Sequence, residues 1–547
     1  MKTEPRVAFF TDSYAEVNGV AHTSRMLAAF AKRRELPFLC VHAGSPDRET
    51  GRLSPDATIV SDGSLQRLVL PRSKFGFKLD ADLRFDLLMW RHARLTLKTV
   101  RAFKPDVIHI TGPSDIGLLG LYVARRLKLP IVMSWHTNIH EYAKQRLEKL
   151  LPALADVRWF SLAGTAEQLS LKLTLLFYKF GKVFLAPNEE LAEMLRQTTN
   201  RPVLLMRRGV DTNLFSPAKR QRTDDVFTIG YVGRLTPEKN IPLLAELEKG
   251  LLAVGAKEFR FVIVGDGSER DWLSQQMQTA HFAGILKGEA LARAYANFDV
   301  FVFPSRTDTF GNVVLEAQAS GIPAIVSNQG GPKFIIREDE TGIVAKSKRH
   351  FLNATLNLLA QPQLRQQMGE AARQLACQTT WDNIFEQVWQ AYELCIQRAA
   401  AELDPKNANH QVGMASALVK LRKFQEAVDV LKPVLAANPK GDVEYFARTN
   451  LATALFELDD YPNAAREFLW ILDHQAKRGD QKRTAITLFF VGVCLDKLRD
   501  FEQALKAYNQ FLELASPDNQ LEIDKVKLRL PSLKHQIEIG QGAKKKK

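Results

Sequence analysis

The sequence predicts two doubly wound α/β domains facing a cleft, followed by an all-α domain of helical repeats. Three observations predict it. Short, β-branched apolar runs alternate with helical segments over roughly residues 1–200; the alternation starts again over roughly 201–400; and from about 404 the chain is helical and self-similar. At 547 residues the chain is too long for one hydrophobic core, so three domains are expected, at 1–200, 201–400 and 404–535.

In the first region Arg6–Phe10, Asp106–Ile110 and Ile131–Trp135 read as buried parallel strands, each short, apolar and bounded by turn residues. Helical segments such as 22–34 separate them, which implies right-handed βαβ units. In the second region the strands are Phe227–Gly233, Phe259–Gly265, Asp299–Pro304 and Pro323–Ser327, with helices near 240–255 and 288–298. Two such sheets leave a cleft at the C-terminal ends of both sets of strands, where open α/β sheets bind ligands.

The third region aligns on itself without gaps over about 417–435, 454–472 and 493–512. The alignment stacks Leu421, Leu458 and Leu498, then Phe424, Tyr461 and Phe501, then Ala427, Ala464 and Ala504. An aromatic at the turn and a small Ala three residues on form the tetratricopeptide layout, in which the Ala lets paired helices approach. Pro439 and Pro517 stand where second helices should stop. A protein or peptide lying in a concave groove is the expected partner, with self-association or a generic helical bundle as alternatives.

Bulk composition is that of an ordinary globular protein: 46% hydrophobic and 25% charged. No apolar run reaches the roughly 20 residues of a membrane span, and the N-terminus runs into a strand without a signal-peptide layout, so cytoplasm is the expected compartment. Cys40, Cys377, Cys395 and Cys494 lack metal-ligand spacing. The net charge of +14 points to anionic partners without choosing among diphosphates, anionic lipid and nucleic acid, and no aromatic-basic nucleic-acid motif accompanies it.

The most informative stretch is 301–327. A strand enters a Pro304-Ser305 turn, then a polar loop with Asp308, then a helix starting near Gly311 and carrying Glu316. Free N–H groups at that helix start suit a phosphate, and Gly311 lets a ligand approach the backbone. Glu316 lies about five residues further, roughly 7 Å along the axis. One carboxylate can thus face a sugar and the other a ribose on the far side of a pyrophosphate. The element 230–240 adds cations: Gly233 ends a strand, and Arg234 and Lys239 follow. Two fixed cations stabilise a leaving diphosphate without a metal.

These residues carry a family resemblance. Val232-Gly233-Arg234 with Glu238-Lys239-Asn240, then Val264-Gly265-Asp266-Gly267, Phe303-Pro304-Ser305, Phe310-Gly311 with Glu316-Ala317, and Ser320-Gly321-Ile322-Pro323 look, in order, like the C-terminal domain of the family-4 glycosyltransferases. The resemblance implies two Rossmann-like domains (the GT-B fold), a nucleoside-diphosphate sugar as donor substrate, a sugar or lipid acceptor, and neither cofactor nor metal. It implies that Arg234 and Lys239 hold the diphosphate, that Glu316 binds the ribose and that the backbone of Phe310, Gly311, Asn312 and Val313 meets phosphate. It places Ile285, within 282–286, at the nucleobase. Asp308 departs from the family's Glu-x7-Glu pattern by one methylene, which suggests a shifted sugar or a different donor; as a residue alone it also reads as a loop acid or helix cap.

In the first half, the Asn18-Gly19 loop is implied to close over the donor phosphates, with Gly19 at the closest approach. His136 matches the position that contacts the donor sugar, although a lone histidine there is more often structural. Arg208-Gly209-Val210-Asp211 resembles the interdomain linker. The implied reaction is hexosyl transfer with retention by front-face departure, carried by His136, Asp308, Arg234 and Lys239. Lipid-directed members are the nearest branch, and the basic apolar stretches 65–85 and 171–183 suit either a peripheral seat on the inner membrane face or ordinary packing. Two rival readings are a repeat scaffold with a degenerate transferase half and a sugar-nucleotide epimerase.

Overall fold

A computed structural model describes residues 4–16, 19–44, 56–73, 77–78, 84–136, 169 and 171–544. The chain divides into two compact units, Met1–Trp389 and Gln390–Lys547. The first unit contains two open sheets.

The first sheet has strands β1 (Val7–Thr11), β2 (Phe38–Ala43), β3 (Thr58–Asp62) and β4 (Leu65–Leu70). After a short ribbon, β5 (Phe77–Lys78) with β6 (Arg84–Phe85), it continues with β7 (Val107–Ile110), β8 (Ile131–Ser134), β9 (Val183–Ala186) and β10 (Val203–Leu205). Helices α1 (Gly19–Arg33), α2 (Ala93–Phe103), α3 (Asp115–Leu127) and α4 (Glu189–Thr199) connect them. The strand order is β10-β9-β8-β7-β1-β2-β4-β3, parallel except for the edge strand β3. Strands buried on both faces read as continuous apolar runs, and every residue of β1, β7, β8 and β9 is buried. Ser114 caps α3 through the Gly117 amide at 3.0 Å, and Asn188 caps α4 through the Leu191 amide at 3.0 Å.

Leu65–Leu70, which the sequence leaves open between a peripheral membrane seat and ordinary packing, is β4, paired along its length with β2 and β3. Leu65, Leu68 and Leu70 are buried in the core, so this segment's apolar groups are already used. Residues 74–76 and 79–83 of that stretch lie outside the described residues.

The second sheet is wholly parallel: β11 (Phe227–Val232), β12 (Phe259–Val264), β13 (Ala280–Gly284), β14 (Val300–Phe303), β15 (Ala324–Ser327) and β16 (Gly342–Ala345), in the order β13-β12-β11-β14-β15-β16. Its helices are α5 (Pro242–Ala253), α6 (Arg270–Gln276), α7 (Gly288–Ala296), α8 (Asn312–Ala319), α9 (Lys348–Ala360) and α10 (Pro362–Cys377). Helix α11 (Trp381–Leu403) begins back against the first sheet: Phe385 and Trp389 meet Phe30 at 5.6 Å, and Trp389 meets Phe38 at 5.9 Å.

In the second unit, helices α12 (Ala408–Lys420), α13 (Phe424–Ala436), α14 (Asp442–Glu457), α15 (Tyr461–Arg478), α16 (Gln481–Lys497), α17 (Phe501–Leu514) and α18 (Gln520–Lys544) each pack on the next. The stacked residues fall at equivalent places. Leu421, Leu458 and Leu498 close one helix of a pair, Phe424, Tyr461 and Phe501 open the other, and Ala427, Ala464 and Ala504 are fully buried.

A buried charge cluster ties β14 to β11. Asp299 accepts from Arg220 at 3.0 Å, Arg222 at 2.6 Å and the Thr228 amide at 2.9 Å. Removing the carboxylate strands a buried guanidinium. Asp299→Ala is expected to lower the stability of the first unit by about 3 kcal/mol in urea unfolding, and Asp299→Asn by less.

Candidate active site

Both sheets reverse direction beside a central strand, the first between β1 and β7 and the second between β11 and β14. Such switch points open a crevice at the strand C-termini. The chain leaves β11 through Gly233, Arg234 and Lys239, and leaves β14 through Pro304, Asp308 and the start of α8. A Cβ at Gly265 would lie 1.9 Å from the Gly233 carbonyl oxygen, so the ends of β11 and β12 meet only because that residue is glycine. Gly311 has φ +103°, a conformation that favours glycine, and it turns the chain into α8. The half-buried Asn312 and Val313 form the first turn of α8, and Phe310 anchors it in the core.

Lys239 and Asp308 are joined. Lys239 Nζ lies 2.7 and 2.8 Å from the two carboxylate oxygens. Burial works to raise the Asp308 pKa, but the Lys239 ammonium outweighs it and holds the carboxyl below its usual range. The carboxylate expected beside the sugar is therefore the counter-ion of the lysine expected beside the phosphate. Arg234 lies 3.4 Å from Glu238, and its carbonyl accepts from the buried Tyr231 hydroxyl at 2.9 Å.

Glu316 stands on α8 and accepts from the Tyr295 hydroxyl at 2.8 Å through Oε2. Burial pushes its carboxyl up from 4.5 to about 7, against the lowering effect of that hydrogen bond. Ile285 lies just past β13 and is 66% exposed, at the edge of the crevice. Gly19, the first residue of α1, approaches the same turn from the other sheet: a Cβ there would be 3.5 Å from Asn312 Nδ2. The preceding Asn18 lies outside the described residues.

Both ring nitrogens of His136, the residue expected against the donor sugar, are engaged within the protein. Nδ1 lies 2.8 Å from Arg208 Nη2, and Nε2 lies 2.6 Å from Ser134 Oγ. Its carbonyl accepts from Thr309 Oγ1 at 3.0 Å, and Asn188 Nδ2 gives to the Thr309 carbonyl at 2.7 Å. Thr309, between Asp308 and Phe310, is thus held twice by the first sheet's loops.

Sequence reasoning missed three features. The Tyr295–Glu316 bond joins α7 to α8, and a tyrosine on α7's buried face was its only signal. The Asn188–Thr309 bond uses the second end of an amide that reads simply as a helix cap. Asp12, directly after β1 at the first switch point, has its carboxyl raised to about 6 by burial, with Asp115 adding to the rise. Nearby, Arg72 and Asp115 form a buried pair at 3.0 Å. Among the described residues no group of three His, Cys, Asp or Glu is arranged to hold a metal ion.

Two open α/β sheets with cations, a helix start and carboxylates at a switch point define a nucleotide-sugar transferase. Comparison with known proteins agrees. Residues 17–214 match the family described as Glycosyltransferase Family 4, and residues 214–375 match Glycosyl transferases group 1. A GDP-mannose-dependent alpha-mannosyltransferase of Mycolicibacterium smegmatis is 30% identical over 404 residues, covering 72% of this chain and 98% of its own. That of Mycobacterium tuberculosis is 33% identical over 307 residues, covering 54% and 75%. The sucrose-phosphate synthase structure from Thermosynechococcus elongatus shares the fold, with a TM-score of 0.53 at 18% identity over 71% of this chain and 98% of that one. The chain belongs to the family-4, group 1 glycosyltransferases, with the GT-B-type fold, and transfers a sugar from a nucleotide sugar to an acceptor.

Glu316 generates a pH prediction. The resemblance gives Glu316 the donor ribose, and the ionised carboxylate is the stronger acceptor for its two hydroxyls. With its pKa raised to about 7, the ionised fraction grows between about pH 6 and about pH 8. Donor KM is expected to fall across that window, and Glu316→Gln to flatten the profile at a weaker affinity. In stability the sign is opposite: the folded state binds this proton more tightly, so the contribution present below pH 4.5 is lost as pH rises through about 7.

Proposed function

We propose that this protein is a retaining hexosyltransferase, with GDP-mannose as the first donor to test and a lipid or glycan as acceptor. The observation that carries the reading is the Lys239–Asp308 pair at the start of α8, in line with Glu316. An arriving diphosphate competes with Asp308 for Lys239 and takes up Arg234, while the amides at the start of α8 receive phosphate oxygens. The freed Asp308 then turns to the sugar hydroxyls. Glu316, steadied by Tyr295, takes the ribose, and Ile285 borders the base. Gly19 and His136 form the opposing wall of the cleft. The chain's own groups position both substrates and stabilise the leaving charge, and neither metal nor cofactor is needed. The donor assignment follows the relatives named GDP-mannose-dependent.

The second unit is read as tetratricopeptide repeats over about 404–535 that hold a protein or peptide. Its support is a turn built three times alike, with Arg422, Asp459 and Arg499 at φ +57°, +60° and +62°.

A lipid acceptor is supported by one face of the first unit. Residues 87–104, 122–128 and 169–182 carry five, three and three basic residues and no acidic one. Leu88, Trp90, Leu173, Leu176 and Phe180 are exposed there. Trp90 meets Tyr122 at 5.5 Å, and Arg125 lies 4.2 Å over Phe180, which joins the three segments into one surface. Apolar side chains among clustered cations, of which Arg91 is paired with Asp86 at 3.7 Å, suit an anionic bilayer. Among the described residues no helix is long and apolar enough to cross a membrane.

Release of nucleoside diphosphate from a panel of sugar nucleotides, with and without chelator, tests the reaction. Arg234→Ala and Lys239→Ala are each expected to lower turnover on the order of 10²-fold; wild-type turnover in either removes the assigned site. Leu173→Glu with Leu176→Glu is expected to abolish cosedimentation with phosphatidylglycerol vesicles while leaving transfer to a soluble acceptor unchanged. Equal binding by the variant would refute the docking face.

A further inference from the structure

Four buried side chains form a hydrogen-bonded line behind the cleft. Arg208, in the linker between the two sheets, gives Nη2 to His136 Nδ1 at 2.8 Å. His136 Nε2 lies 2.6 Å from Ser134 Oγ, which lies 2.9 Å from His109 Nε2. None of the four is more than 7% exposed. The line has a direction because a guanidinium only donates. Nδ1 must accept, so the ring carries its proton on Nε2 and gives it to Ser134. The serine hydroxyl then gives its own proton to His109 Nε2. A doubly protonated His136 would turn an N–H toward the arginine N–H, which the 2.8 Å approach does not allow.

We infer that Arg208 is a positioning residue that locks His136 as the neutral Nε2–H tautomer, and so fixes the cleft wall whose carbonyl receives Thr309 of the donor loop. Its bearing on transfer rests on the reading of the cleft given above; the tautomer itself rests on the hydrogen bonds alone. Other features agree. Burial, then the Arg208 charge and His109, hold the His136 pKa well below its usual value. Burial also brings Arg208 down to about 10, which leaves it charged at neutral pH. Its Nη1 gives to the Met206 carbonyl at 2.9 Å, and no described carboxylate lies within ion-pair distance of it. A buried guanidinium is expensive to keep. Among the described residues, the groups around the ring are Arg208 from the linker, His109 from β7, Ser134 from β8 and Thr309 from the donor loop. His22 on α1 lies close enough to Arg208 to feel its charge, and Tyr178 gives its hydroxyl to the Ser134 carbonyl at 3.0 Å. No carboxylate is among them to favour a charged ring.

The test uses the full chain with 15N-labelled histidine, His136→Gln identifying the resonance. The wild-type ring is expected to show the neutral Nε2–H pattern at about pH 7 and to keep it down to about pH 5. In Arg208→Met the ring should populate the Nδ1–H form and protonate at a higher pH than in the wild type, and kcat should gain an acid-side inflection there while donor KM moves less than about threefold. Arg208→Lys, another cation that only donates, should restore both the tautomer and the flat profile. A wild-type ring protonated on Nδ1, or charged at neutral pH, overturns the inference, as does an Arg208→Met spectrum identical to wild type. If Arg208→Met does not fold, the wild-type and Arg208→Lys spectra decide. Because the spectra need no sugar transfer, a failed transfer assay with the expected tautomer counts against the proposed reaction, whereas the wrong tautomer in an active enzyme counts against Arg208.

Discussion

The ion pair between Lys239 and Asp308 is the interaction on which the site's chemistry turns. A lysine and an aspartate both largely withdrawn from water repay their desolvation only with close geometry, which two contacts at 2.7 and 2.8 Å provide. The pair joins the chain leaving β11 to the chain leaving β14, so it spans the switch point that the sheet order creates. On the proposed reading, a diphosphate, which carries more charge than one carboxylate, displaces Asp308 from Lys239.

That exchange reaches the opposite wall through Thr309. Asp308 cannot move without disturbing the next residue, whose hydroxyl and carbonyl are bonded to His136 and Asn188. Displacing the carboxylate and adjusting the grip between the two sheets are thus neighbouring events on one short loop. The linker closes the circuit, because Arg208 bonds the ring of the residue whose carbonyl holds Thr309. Gly209 allows it: a Cβ there would sit 2.5 Å from the Trp381 backbone nitrogen.

Strands buried on both faces were legible because they leave apolar runs with turn residues at each end; β1, β7, β8, β11 and β14 lie within a residue of where their sequences place them. β4 reads two ways from sequence because its basic and apolar residues mix as they would on an amphipathic surface. Only its pairing with β2 and β3 shows that the leucines are used inside. Glu316 and Gly311 were legible from their spacing on one helix. The partners that fix a site's charge were not, because they come from other elements: Tyr295 is 21 residues from Glu316, and Arg208 is 72 from His136.

His136 shows why local reading and contact reading part company. Its place at the end of β8 is a cleft position, and its backbone does serve the cleft. Its ring, however, answers to Ser134 two residues back and to an arginine from the linker. A histidine with one nitrogen bonded to a donor-only group and the other to a hydroxyl has no nitrogen left for a sugar unless one of those bonds breaks. The ring is therefore held in place, and on the proposed reading its direct use during transfer requires the Ser134 bond to open. Of the two it is the one that can open, because the serine has His109 as a second partner, whereas Arg208 would keep only its bond to the Met206 carbonyl among the described residues.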